Sequence, residues 1–142
     1  MKRILFLCTG NSCRSQMAQV IMNRLGKGRF EAFSAGSRPA GHVHPLAIKT
    51  LEEAKLPVEG LRSKSWEEFQ GQSFDFVITV CDRARESCPV FPGQPVADHW
   101  GFEDPAEAVG TDEQKERVFR KVFKEIQARI RLFLDAAPDR KS

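Results

Sequence analysis

The chain has 142 residues, 41% of them hydrophobic and 29% charged, with a formal net charge of +3, which suits one soluble domain large enough to bury a core. No block of Lys and Arg is long enough for a nucleic-acid-binding arm, so no nucleic-acid partner is expected. The apolar run from Ile4 to Leu7 is too short for a signal-peptide core, and no stretch could span a bilayer; a cytoplasmic monomer without membrane attachment is expected.

Lys2 to Leu7 reads as a short buried strand. Ser15 to Leu25 carries Met17, Ala18, Ile21, Met22 and Leu25 at helical spacing, with Gly26 placed to close the helix. Phe30 to Ser34 is a second strand, ended by Ala35 and Gly36, Pro45 to Ala54 a helix, and Ser65 to Phe69 a short helix. Phe74 to Val80 (FDFVITV) is the strongest strand signal, bounded by Ser73 and Cys81, and Pro95 to Asp98 is a weaker one. Thr111 opens the last helix, with Gln114 placed to complete a capping box. Phe119, Val122, Phe123, Ile126, Ile130, Phe133 and Leu134 give that helix a long core face. Strands alternating with helices predict a single α/β domain over residues 1–137, with a parallel sheet of about four strands covered by helices on both faces. Residues 138–142 read as a frayed tail.

In such sheets ligands bind beyond the carboxyl ends of the strands, where the stretch from Cys8 to Ser15 (CTGNSCRS) falls. Backbone N–H groups of Thr9, Gly10, Asn11, Ser12, Cys13 and Arg14 can converge on an anion there, and the following helix N-terminus adds positive potential. Gly10 and Asn11 tolerate the left-handed conformations of a tight loop. Arg14 offers a planar fork to a tetrahedral oxyanion. Cys8, at the base of this cradle, has the donors that favour a thiolate, and so the makings of a nucleophile. The plainer reading is a serine-capped helix with small core cysteines. It suits Cys13, which has no evident task, but it leaves the Cys-x5-Arg spacing unexplained.

Cys8-x5-Arg14-Ser15 resembles the phosphate-binding loop of low-molecular-weight protein tyrosine phosphatases. Members of that family also carry a late Asp-Pro pair whose Asp is the general acid, and Asp104-Pro105 stands in the matching place. Asp104 to Glu107 also fits a helix N-cap with Pro in the first turn and Glu at the third position.

Four cysteines in a reducing compartment are more often reactive than structural, and without a Cys-x2-Cys pair no structural zinc site is expected. Cys81 follows the strongest strand, so it too lies at the carboxyl edge of the sheet, within reach of Cys8. If Asp82 to Ser87 is helical, Cys81 and Cys88 are separated by a rise of roughly 10 Å. A disulfide needs Cα atoms within about 7 Å, so a bridge between them requires that segment to unwind. Alone, the pair would read as two buried cysteines sharing a helix face.

Together CTGNSCRSQMA, VCDRARESCP and HWGFEDPA resemble the thioredoxin-coupled arsenate reductases, which share the phosphatase fold. The resemblance implies that Cys8 attacks arsenate held by the 9–14 backbone and Arg14, with phosphate or sulfate as analogues, while Asp104 protonates the leaving oxygen. Cys81 then attacks Cys8, Cys88 attacks Cys81, and thioredoxin reduces the resulting disulfide. Asn11 and Ser15 shape the loop and hold the thiolate. No metal or organic cofactor is implied, because the electrons come from protein thiols. Some members bind potassium through a Glu and a Thr-x-Asp, where this chain has Gln19 and Ser63 with Ser65, so two carboxylates are missing. A phosphomonoester hydrolase of the phosphatase type is the alternative. That branch shows Tyr after Asp-Pro and aromatic residues around the pocket, whereas this chain has Ala106 there and no Tyr. Weak phosphatase activity is expected all the same. A thiol sensor or metal-binding module leaves Arg14 and Asp104 without a role.

Overall fold

The computed structural model describes residues 1–82, 93 and 96–136. Strands β1 (Lys2–Cys8), β2 (Phe30–Gly36), β3 (Phe76–Thr79) and β4 (Asp98–His99) form one sheet in the order β2-β1-β3-β4, with every pairing parallel. The long helices are α1 (Arg14–Leu25), α2 (Pro45–Glu53) and α3 (Asp112–Ala136), and short 3₁₀ turns span Trp66–Phe69 and Pro105–Glu107.

β1 is paired on both edges, along its whole length with β2 and over Ile4 to Leu7 with β3, and its residues alternate between two apolar clusters, as a buried strand must. Ile4, Phe6 and Cys8 join a core with Met17, Ile21 and Met22 of α1, Leu51 of α2, and Phe119, Ile126 and Ile130 of α3. Leu5 and Leu7 point the other way, onto Ala35, Phe69, Phe74 and Val77. Among the described residues the three long helices contribute to the first cluster, while the second is closed by the Trp66–Phe69 turn, Phe74 and the partly buried Val96.

The expected elements appear with shifted ends. β1 runs one residue further, to Cys8, because Cys8 pairs with Gly36. The strand expected over Phe74 to Val80 is assigned to Phe76–Thr79, yet Asp75 N donates to Arg3 O and Val80 N to Leu7 O, which continues the ladder past both ends. Of the strand expected at Pro95 to Asp98, Pro95 lies outside the described residues, and the pairing found is Asp98–His99 in register with Ile78 and Thr79. Asp98 is then fixed by Trp100 Nε1 at 2.9 Å and Arg129 Nη2 at 3.1 Å, tying β4 to α3. The capping box forms as expected: Gln114 N donates to Thr111 Oγ1 at 3.1 Å, and Thr111 N to Gln114 Oε1 at 2.8 Å. The tail at 138–142 lies outside the described residues.

Candidate active site

The β1–α1 connection is one tight loop whose carbonyls face outward. Cys8 O accepts from Ser37 N, Thr9 O from Arg38 N, Gly10 O from Ala40 N and Ser12 O from His44 N, and Asn11 O accepts from Gln16 Nε2 at 3.0 Å. With the carbonyls of residues 8–12 spent on their surroundings, the amide edge of the loop is turned inward, the arrangement that holds an oxyanion. α1 begins at the same point with no side-chain cap and no acidic residue in its first turn, so its terminal N–H groups add to that potential. The serine-capped alternative fails: Cys13 occupies the cap position without a side-chain capping bond, and Ser15 faces the loop interior.

Cys8 is buried at the loop's base. Its Sγ lies 2.8 Å from Ser15 Oγ and receives the Asn11 backbone N–H at 3.2 Å. Asn11 Nδ2 donates to Ser15 Oγ at 2.7 Å, which leaves the Ser15 hydroxyl hydrogen directed at sulfur. Asn11 takes the left-handed conformation, with φ of 49°. Gly10 does not; the conformational reason offered for it from sequence is replaced by that of Asn11 alone. Gly36, expected only to end the second strand, instead closes β2 opposite Cys8 and is the tighter requirement. A Cβ there would stand 2.5 Å from Thr9 O and 3.1 Å from Asn11 N, so only glycine lets β2 run flush behind the loop.

Arg14, the first residue of α1, is buried; its Nη1 donates to Phe102 O at 3.1 Å and its Nη2 lies 3.6 Å from Asp104 Oδ2. Asp104 caps the Pro105–Glu107 turn through Oδ1, which accepts from Ala106 N at 3.0 Å. One oxygen therefore does the capping that the sequence suggested while the other faces the arginine. Thr9, Gly10, Ser12, Ala40, Asp82 and Asp104 line a shared cleft with Glu103, Glu107, Ala108, Val109 and Val118. Among the described residues no aromatic ring lines it.

Cys13 is buried beside the loop, and burial is the main reason its thiol is pushed up to about 12; a hydrogen bond from Ser12 acts against this. It stays protonated at neutral pH. Parallel pairing of β1 with β3 sets Leu7 opposite Thr79, and Val80 N donates to Leu7 O at 2.9 Å. Cys81 thus follows the residue beside Cys8. Carrying the ladder spacing one residue on puts the two Cα atoms roughly 6 Å apart. Cys81 is buried and disulfide-bonded, whereas Cys8 and Cys13 are free thiols. Cys88 and the segment expected to unwind, apart from Asp82, lie outside the described residues.

Gln19, Ser63 and Ser65, which stand where some members carry potassium ligands, are each hydrogen-bonded within the protein. Gln19 Oε1 accepts from Ser34 Oγ, Ser63 Oγ donates to Gly10 O, and Ser65 Oγ caps Glu67 N. Among the described residues no group of three or more His, Cys, Asp or Glu could hold a metal ion.

Residues 3–141 match the family described as low molecular weight phosphotyrosine protein phosphatase. The arsenate reductase of Oceanobacillus iheyensis is 42% identical over 132 residues, covering 93% of this chain and 94% of the relative. Among solved structures, an arsenate reductase in the phosphate binding state superposes with a TM-score of 0.78 at 33% identity, over 95% of this chain and 98% of that one. The thioredoxin-dependent arsenate reductase of Corynebacterium glutamicum superposes with a TM-score of 0.69 at 26% identity, over 96% of this chain and 61% of that one. The loop, its buried thiol and these likenesses agree: the chain belongs to the low molecular weight phosphotyrosine protein phosphatase family, among the arsenate reductases of that fold.

Proposed function

We propose that the chain reduces arsenate to arsenite through three thiols acting in succession, and that thioredoxin regenerates it. The reading rests chiefly on one juxtaposition: a buried Cys8 inside an anion-shaped loop, with Cys81 at the end of the neighbouring parallel strand.

Arsenate binds against the 9–14 amides and Arg14. The Cys8 thiolate attacks arsenic, a sulfur–arsenic bond forms, and one arsenate oxygen leaves as water with a proton from Asp104. The Cys81 thiolate then attacks Cys8 Sγ. A sulfur–sulfur bond forms, the sulfur–arsenic bond breaks, and its electron pair stays on arsenic, which departs as arsenite. Two electrons have left sulfur and two have reached arsenic. Cys88 attacks Cys81, freeing the Cys8 thiolate and leaving a Cys81–Cys88 disulfide. A thioredoxin dithiol reduces that bond in the reducing cytoplasm.

Cys8 free and Cys81 disulfide-bonded is the distribution the last state of the relay requires. The absence of aromatic rings from the described lining suits a small inorganic oxyanion better than an aryl phosphate. The relative from Corynebacterium glutamicum is thioredoxin-dependent by name. A coupled assay with arsenate, thioredoxin, thioredoxin reductase and NADPH tests the reading. NADPH oxidation that depends on arsenate, and disappears in Cys8→Ser, is expected. Turnover retained in Cys8→Ser, or none in the wild type while an aryl phosphate is hydrolysed fast, overturns it.

A further inference from the structure

The loop is held from behind by a strap, residues 62–65, to which the mechanism gives no part. Gly36 N donates to Lys64 O at 2.9 Å, Lys64 N to Asn11 Oδ1 at 3.0 Å, and Ser63 Oγ to Gly10 O at 3.0 Å. Gln16 Nε2 bridges Arg62 O at 2.8 Å and Asn11 Oδ1 at 3.0 Å. The strap thereby fixes both the carbonyl of Gly10 and the side chain of Asn11, whose amide serves Ser15 and whose backbone N–H serves Cys8.

The Lys64 side chain folds back along this strap. Its Nζ donates to Arg62 O at 3.1 Å and to Ser34 Oγ at 3.4 Å, and Ser34 passes its own hydrogen to Gln19 Oε1 at 2.5 Å. These acceptors are neutral oxygens. Burial, then the charge of Arg62, push the ammonium down to about 8, while the charges of Glu68 and Cys8 act upward. The neighbours from other elements, Ser34 on β2 and Gln19 on α1, carry no charge. Coulomb interaction is mutual, so a Cys8 thiolate that favours the ammonium is favoured by it in turn.

We propose that Lys64 is a positioning residue for the reaction: its ammonium, seated behind the oxyanion loop on Ser34 and the Arg62 carbonyl, holds the Asn11 strap and favours the thiolate of Cys8. The proposal rests on Cys8 being the nucleophile, and its test needs no arsenate. The fully reduced full-length protein is treated with iodoacetamide, and the rate of Cys8 modification is followed by peptide mass spectrometry at pH 7 and pH 10 in wild type, Lys64→Met and Lys64→Arg. At pH 7 Lys64→Met reacts about three- to tenfold more slowly than wild type, the effect of losing one nearby positive charge, and Lys64→Arg recovers the wild-type rate. At pH 10, where wild-type Lys64 has lost its proton, Lys64→Met and wild type react alike. Equal rates at pH 7, the same ratio at both pH values, or no recovery with arginine overturns the proposal. If arsenate reduction fails while the alkylation pattern holds, only the reading of the substrate falls.

Discussion

The Arg14 guanidinium and the Asp104 carboxylate meet at 3.6 Å at the mouth of the loop, through an oxygen that the turn cap leaves available. This division separates what Asp104 does for the fold from what it does for the reaction. Asparagine caps as well as aspartate but cannot donate a carboxyl proton. Asp104→Asn is therefore expected to slow single-turnover arsenate reduction by about 100-fold, the low end of general-acid contributions, and to shift Tm by no more than about 1 °C for want of a lost cap. Rapid-quench kinetics and calorimetry on one preparation check both halves.

Gly36 limits the loop from behind. Gly36→Ala places a Cβ against the Thr9 carbonyl, and backbone must move to admit it. A loss of about 1–3 kcal/mol in urea unfolding is expected, as for other overpacked sites, together with weaker phosphate binding by calorimetry. Unchanged phosphate affinity would mean that the loop tolerates the shift.

Cys13 and Cys8 should part company with pH. The Cys13 thiol, raised from 9.0 to about 12 chiefly by burial, stays protonated in the folded chain. At pH 8 under native conditions Cys8 is expected to take up iodoacetamide while Cys13 does not. A raised folded value adds stability below pH 9 that fades between pH 9 and pH 12. Denaturant midpoints should accordingly fall over that window, and fall less in Cys13→Ala.

Much of this was legible in the sequence, and the parts that were not share a cause. The alternation in β1, the apolar stripe of α3 and the Thr111–Gln114 box are local patterns with fixed spacing, so they read directly. The Cys8–Arg14 loop is equally local. The reach of β4 to His99 was missed because its short run is defined by register with Ile78 and Thr79 rather than by its own composition. The contacts that Gly36, Gln16 and Lys64 make with the loop were hidden for a different reason. Each acts on Asn11 or the loop backbone from a distant part of the chain or through a buried polar contact, and no periodicity announces such contacts.

The Thr111 box offers a control away from the site. Thr111→Ala should cost about 1 kcal/mol, lowering Tm by roughly 3–4 °C, with kcat/KM for arsenate unchanged at a temperature well below the transition. A matching loss of activity would tie the start of α3 to the site.

The relay is tested most directly by counting. Reduced Cys88→Ser, given excess arsenate, thioredoxin, thioredoxin reductase and NADPH, is expected to release about one arsenite per chain and stop, with Cys8 joined to Cys81 in the peptide map. Wild type under the same conditions should turn over repeatedly and accumulate a Cys81–Cys88 bridge when thioredoxin is withheld. Repeated turnover of Cys88→Ser at the wild-type rate would contradict a three-thiol relay.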